Sequence, residues 1–170
     1  MNWPHDDNAS LISFYGDPIR RVFAQNLVPF TPQWQMSYKD DAGKVTKVAH
    51  FIVHRKCVDA LARIFAAIWN AYGQSQARIE ADNLHWFGGC YAPRNVRGSS
   101  TKLSTHAFAA AIDLDPEHEP MNRGHVSHMP QVVIDAFEAE GWTWGGKFRR
   151  RQDPMHFQAA FELFACFARA

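Results

Sequence analysis

One apolar stripe limits what this chain can become. Val58, Leu61, Ala62, Phe65, Ile68, Trp69 and Tyr72 recur at steps of three and four, and Gly73 follows them. That period marks a helix with one buried face, and a glycine just past the last periodic residue is a stop. The spacing predicts a helix starting near Arg55 and ending at Tyr72, its stripe in a core. A second helix is expected over Pro130 to Glu140, where proline stands in the first turn, Val133, Ala136 and Phe137 share a face, and Gly141 follows.

Elsewhere the chain is cut into short pieces. Nine prolines and ten glycines in 170 residues, 46% of them hydrophobic, fit one compact domain with a sizeable core and leave little room for two. From Met1 to Trp34, Pro4, Gly16, Pro18, Pro29 and Pro32 break the pattern, so residues 1–34 are expected to wrap the rest, with one short helix around Ile19 to Asn26. Met36 to Tyr38 and Val45 to Val53 flank Lys39-Asp40-Asp41-Ala42-Gly43 as two strands flank a hairpin turn. Ala109 to Leu114 and Met155 to Phe161 are short and apolar enough for strands, and Phe87 to Ser100 is glycine-rich and poorly periodic.

Charge and cysteine usage exclude several classes. Eighteen Lys and Arg against seventeen Asp and Glu leave a net charge of +1, which gives no global field for nucleic acid or an anionic membrane. Cys57, Cys90 and Cys166 are odd in number and form no C-x-x-C pair, against a disulfide framework or a cysteine zinc site. Synthesis in a reducing cytoplasm is the simplest inference. Met1 to Asp7 shows neither the basic nor the apolar region of a signal peptide, and every apolar run falls far below the roughly 20 residues of a membrane span. Thirteen Phe, six Trp and four Tyr supply enough rings to line a groove as well as fill a core.

The chemistry concentrates in two places, Ser104-Thr105-His106-Ala107-Phe108-Ala109-Ala110-Ala111-Ile112-Asp113 and Asp153-Pro154-Met155-His156-Phe157. Two imidazoles and one carboxylate are what a catalytic zinc takes from a protein, the fourth position being left to water. Asp153 would then stand beside the metal and take the water's proton. Spacing alone leaves open the ordinary alternative, that these are surface or hydrogen-bonded structural residues. A helix from His106 to Asp113 would separate the two by about 10 Å along its axis, an awkward span for one small ion, so a loop entering a strand is expected there.

The pattern S-x-H-x-x-G-x-A-x-D with a later D/E-x-x-H resembles the zinc D-alanyl-D-alanine carboxypeptidases and L-alanyl-D-glutamate endopeptidases, a group that includes many bacteriophage endolysins. Phe87 to Arg94 through Arg97-Gly98 is similar to that group's arginine-bearing loop, and Gly141-Trp142-Thr143-Trp144-Gly145-Gly146 to the segment before its last ligand. The resemblance covers about Leu84 to Phe161; the first half of the chain is similar to phage and prophage members only loosely. It implies an α+β domain of the hedgehog/D,D-peptidase kind spanning residues 1–170, a small antiparallel sheet carrying the zinc site within residues 84–161 and helices covering its back. His106, Asp113 and His156 would hold one Zn²⁺ per chain, Asp153 would be the general base, and Arg94 would polarise the scissile carbonyl or grip a substrate carboxylate, with Arg97 the second choice. Ser104 and Trp144 fall on the substrate side. Two positions depart from the group: Ala109 replaces its usual glycine and Phe108 a frequent tryptophan, so alanine is strained if the glycine serves a positive φ.

The implied function is a zinc-dependent peptidoglycan peptidase acting on stem peptides as a monomer, an L-alanyl-D-glutamate endopeptidase of phage or prophage type that reaches the wall through a holin or on a virion. The alternatives are a D-alanyl-D-alanine carboxypeptidase and a non-catalytic wall-binding or virion protein that keeps the fold. Other histidines compete less well: His118, His125 and His128 read as surface residues, His50, His54 and His85 as core or hydrogen-bonded, and His5 as exposed. Lys147, Arg149, Arg150 and Arg151 form a solvated loop or steer anionic wall material towards Asp153.

Overall fold

The computed structural model describes residues 2–121, 124, 126–149 and 151–162; His125, Arg150 and Cys166 lie outside them. The fold is mixed α and β, with small antiparallel sheets and several helices. Helix α2 spans Val58–Ala71, preceded by a 3₁₀ turn at Arg55–Cys57. Its stripe lies in the core, with Leu61, Ile64, Phe65 and Ile68 fully buried, each stabilising the fold by roughly 1.5–3 kcal/mol. Helix α4, Gln131–Ala139, packs on α2 and buries Val133, Ile134 and Phe137.

Residues 1–34 are more than a wrapping. They hold helix α1, Asn8–Tyr15, a 3₁₀ helix over Arg21–Asn26 and strand β1, Leu27–Phe30. Their Trp3, Leu11, Tyr15, Phe23, Phe30 and Trp34 join the same core cluster as α2. The expected hairpin forms from β2, Met36–Lys39, and β3, Val45–Val48. The strand expected to run on to Val53 breaks, and β4, Phe51–His54, pairs instead with β1. Helix α3, Gln76–Ala81, adds a turn and a half capped by the Ser75 hydroxyl.

The third sheet carries the chemistry. Strands β5 (Phe87–Gly89), β6 (Ala111–Leu114), β7 (Thr143–Trp144) and β8 (His156–Gln158) assemble in the order β5-β6-β8-β7, all antiparallel. In that register Asp113 stands opposite His156 on one side and Gly89 on the other. Phe157 and Ile112 point to the opposite face and are fully buried, and Phe137 of α4 stacks on Phe157 at 4.0 Å between ring centres. Period-2 alternation therefore gives one face of the sheet to the core and the other to the polar cluster.

Candidate metal centre

His106 sits on a 3₁₀ turn, Thr105–Phe108, whose N-cap is Ser104: its hydroxyl accepts the His106 N–H at 3.3 Å. The turn ends at Ala109, in the left-handed region at φ 52, ψ 35, and the chain enters β6 two residues later. The glycine of the resembling pattern thus falls on a position of positive φ, where alanine costs roughly 1–3 kcal/mol. The surroundings hold it there: the Ala109 N–H donates to the His106 carbonyl and the Ala109 carbonyl accepts from the His54 N–H at 2.8 Å.

Three donor atoms converge where the turn, β6 and β8 meet. His106 Nε2 lies 3.2 Å from Asp113 Oδ1 and 3.1 Å from His156 Nδ1, and His156 Nδ1 lies 2.9 Å from Asp113 Oδ1. His106, Asp113 and His156 are the one group among the described residues able to hold a metal ion with three such side chains. Donors about 2.0–2.1 Å from a tetrahedral ion stand about 3.3 Å apart, close to the separations seen. Both histidines are buried and Asp113 nearly so. Burial pushes the Asp113 carboxyl up, but His106 and His156 beside it outweigh that and hold it well below the usual carboxylate range. Burial pulls His156 down, yet Asp113, with Asp153 and Gln158, raises it above the ordinary imidazole value.

The outer ring nitrogens are both engaged. His106 Nδ1 is 2.9 Å from the Cys90 carbonyl, and His156 Nε2 is 3.0 Å from Gln158 Oε1. Two glycines let the flanking loops close on these groups. A Cβ on Gly88 would stand 2.8 Å from the Asp113 Cβ, and one on Gly145 would strike the Asp153 carbonyl oxygen and lie 3.1 Å from the His156 Cβ.

Asp153 is 8% exposed, and among the described residues its Oδ1 is buried without a hydrogen-bond partner. Burial raises its carboxyl above the ordinary value; His156 counters this, Asp113 adds to it, and His106 and Arg97 pull downward. Arg94, ranked first from the sequence, is exposed and turns its Nη1 to the Asn95 carbonyl at 3.4 Å in its own loop. Trp144 commits its indole N–H to the Pro154 carbonyl at 2.7 Å, tying β7 to the loop that carries Asp153 and leads into His156 of β8.

Among the described residues, the remaining histidine candidates are not part of the cluster. His118 pairs with Asp115 at 2.7 Å, His54 is buried against the Tyr15 carbonyl, His85 is half-buried, and His5 is exposed. His50, expected in the core or hydrogen-bonded, is exposed because the chain turns between β3 and β4 at that point. Of the basic run, Lys147 is tied to Glu138 of α4. Sequence reasoning did not find Cys90, Thr105 and Gln158, which touch the rings of His106 and His156; a backbone carbonyl leaves no mark in the residue code, and Gln158 carried only its place two residues beyond His156.

Residues 97–159 match the family model described as D-alanyl-D-alanine carboxypeptidase. The match contains His106, Asp113, Asp153, His156 and Arg97 and leaves Arg94 just outside; it supports a peptidase of the kind that acts on peptidoglycan. Comparison with curated proteins and with solved structures gave no match.

Proposed function

We propose that this chain is a zinc-dependent peptidoglycan peptidase that hydrolyses a stem-peptide bond, with His106, Asp113 and His156 as the metal ligands. The observation that carries the reading is the convergence of His106 Nε2, His156 Nδ1 and Asp113 Oδ1 within 3.2 Å of one another, together with the buried Asp153 Oδ1, which has no hydrogen-bond partner among the described residues. Neutral imidazoles and a carboxylate suit zinc, and three protein ligands leave a fourth position open, as a catalytic site requires. When bound, zinc supplies Lewis acidity and brings the pKa of water down to about 7.

This chain's own residues do the rest. Asp153 Oδ1 accepts the proton of the attacking water; its raised pKa keeps it basic enough to take the proton and acidic enough to return it to the leaving amine. Burial at 8% exposure keeps bulk water from competing for that proton. Arg97, whose charge is felt at Asp153, is placed ahead of Arg94 as the guanidinium that faces the scissile carbonyl or a substrate carboxylate, where its fork of donors stabilises negative charge. Trp144 holds the Asp153 loop through Pro154 and offers its ring edge to substrate, and Ser104 sets the orientation of the His106 turn.

Within this reading we favour an L-alanyl-D-glutamate endopeptidase of phage or prophage type over a D-alanyl-D-alanine carboxypeptidase, on the loose resemblance of the first half of the chain to phage and prophage members. Mass spectrometry of the products from one defined stem peptide decides between them. The endopeptidase releases L-alanine from the rest of the peptide. Loss of a single terminal D-alanine would assign the carboxypeptidase, and an uncut peptide at full zinc occupancy would leave the non-catalytic wall-binding alternative.

A further inference from the structure

The two ligand histidines present different nitrogens to the cluster. His106 turns Nε2 inward and gives Nδ1 to the Cys90 carbonyl, whereas His156 turns Nδ1 inward and gives Nε2 to Gln158. For His106 the outer partner is a carbonyl oxygen, which only accepts, so Nδ1 carries the hydrogen and Nε2 keeps its lone pair. For His156 the outer partner is a side-chain amide, which can accept or donate according to which way it is turned.

The neighbours fix that choice. Gln158 Nε2 donates to the Ala160 carbonyl at 3.4 Å, which turns Oε1 towards His156. Oε1 then accepts the Thr105 hydroxyl at 3.1 Å and faces His156 Nε2 at 3.0 Å. The Thr105 oxygen itself lies 3.4 Å from His156 Nε2. Thr105, His156 and Gln158 are all buried, at 3%, 5% and 2% exposure, so water is not available to exchange these partners. A reversed amide would set two acceptors, its own oxygen and the Ala160 carbonyl, against each other and leave them unpaired in the interior, at roughly 1–3 kcal/mol for each.

We propose that Gln158, steadied by Thr105 and the Ala160 carbonyl, is a positioning residue that fixes His156 as the Nε2–H tautomer and so directs the Nδ1 lone pair at the metal. The proposal rests on the zinc reading above, and the tautomer is read on the metal-free chain, where the Asp113 carboxylate 2.9 Å from Nδ1 competes with Gln158 for the ring hydrogen. Nothing in the motif D-x-x-H specifies which nitrogen is used; the residue two positions on does. Adjacent strand residues face opposite sides of a sheet, so Gln158 shares the face of His156 while Phe157 fills the core.

The test uses the full chain with ¹⁵N-labelled histidine, freed of metal and held at a pH where His156 is neutral. Long-range ¹H–¹⁵N correlation is expected to show His156 as the Nε2–H tautomer and His106 as Nδ1–H; His156 as Nδ1–H, or as a mixture, overturns the proposal. Zinc affinity measured by chelator competition is expected to fall roughly 10-fold to 100-fold in Gln158→Leu, the usual effect of removing such a partner, and to be largely kept in Gln158→Glu, which retains the acceptor. A Gln158→Leu protein that folds and binds zinc as the parent does would contradict it. If that variant does not fold, Thr105→Val, which loses one hydroxyl and little volume, must shift the His156 tautomer signals, and unchanged signals count against the proposal. Should the parent bind no zinc, the metal reading fails while the tautomer measurement still decides this one.

Discussion

His106, His156 and Asp153 stand within one cluster yet are assigned different tasks, and single substitutions separate them. His106→Ala and His156→Ala are expected to lose zinc, each removing one of three converging donors. Asp153→Ala is expected to keep zinc near one per chain and to lose roughly 10²-fold to 10⁴-fold in hydrolysis, because the role proposed for its Oδ1 is to take the water's proton and not to hold the ion. Elemental analysis beside a peptide assay reads both. A zinc-free Asp153→Ala protein would make Asp153 a ligand. At Ala109 the expectation is one of stability: relief of the left-handed strain favours Ala109→Gly and the entropy of glycine opposes it, so the variant should be neutral or up to about 1 kcal/mol more stable in denaturant unfolding. Destabilisation beyond about 1 kcal/mol would mean that the Ala109 methyl packs more than it strains.

Loops and strands bring these residues together, and their closeness depends on what is missing from two side chains. Gly145 lies against Asp153 and His156, and Gly88 against Asp113. Gly145→Ala must push the Asp153 loop away, and displacement of reacting groups by about 1 Å can cost about 10²-fold in rate. Loss of that order with unchanged circular dichroism is expected; full activity would show that the loop yields without harm. Elements with strong periodicity were legible in the residues: α2 from its stripe, α4 from its proline and glycine ends, β6 and β8 from their apolar runs. Others were not, for physical reasons. Apolar residues surround α1 rather than forming a stripe, although Asp7 caps it through the Ser10 N–H; β1 contains Pro29, which is tolerated only because the strand pairs on one side; β7 is two residues long. His106, Asp113 and His156, the proposed ligands, could be singled out from the motif, and the fold brings them together. The choice between Arg94 and Arg97 could not be settled there, because both stand exposed on one loop and the choice depends on which guanidinium meets substrate.

At the scale of the molecule, the N-terminal segment is fastened to the back of the site. His54 is buried, its Nε2 3.0 Å from the Tyr15 carbonyl and its Nδ1 accepting the Lys56 N–H, and the Tyr15 hydroxyl reaches the Ala159 carbonyl beyond β8. That arrangement needs a neutral ring, and burial lowers the His54 pKa from 6.5 to about 4, with the Tyr15 carbonyl opposing and Lys56 and Arg55 reinforcing the shift. An unfolded chain therefore binds the proton first. The stability His54 contributes is complete above pH 6.5 and is lost as the pH falls through about 4. In metal-free protein, where zinc release cannot mimic the effect, the melting temperature of the parent should drop over that range more steeply than that of His54→Gln, which keeps an acceptor and a donor without titrating. Parallel curves would remove His54 from the account. The central claim, that the cluster of His106, Asp113 and His156 holds the zinc on which peptide hydrolysis depends, is tested most directly by titrating zinc into the metal-free chain while following the cleavage of purified peptidoglycan. Hydrolysis should rise with added zinc and level off at about one ion per chain, as one three-ligand site requires. Full cleavage without metal, or none at one bound zinc, would contradict it.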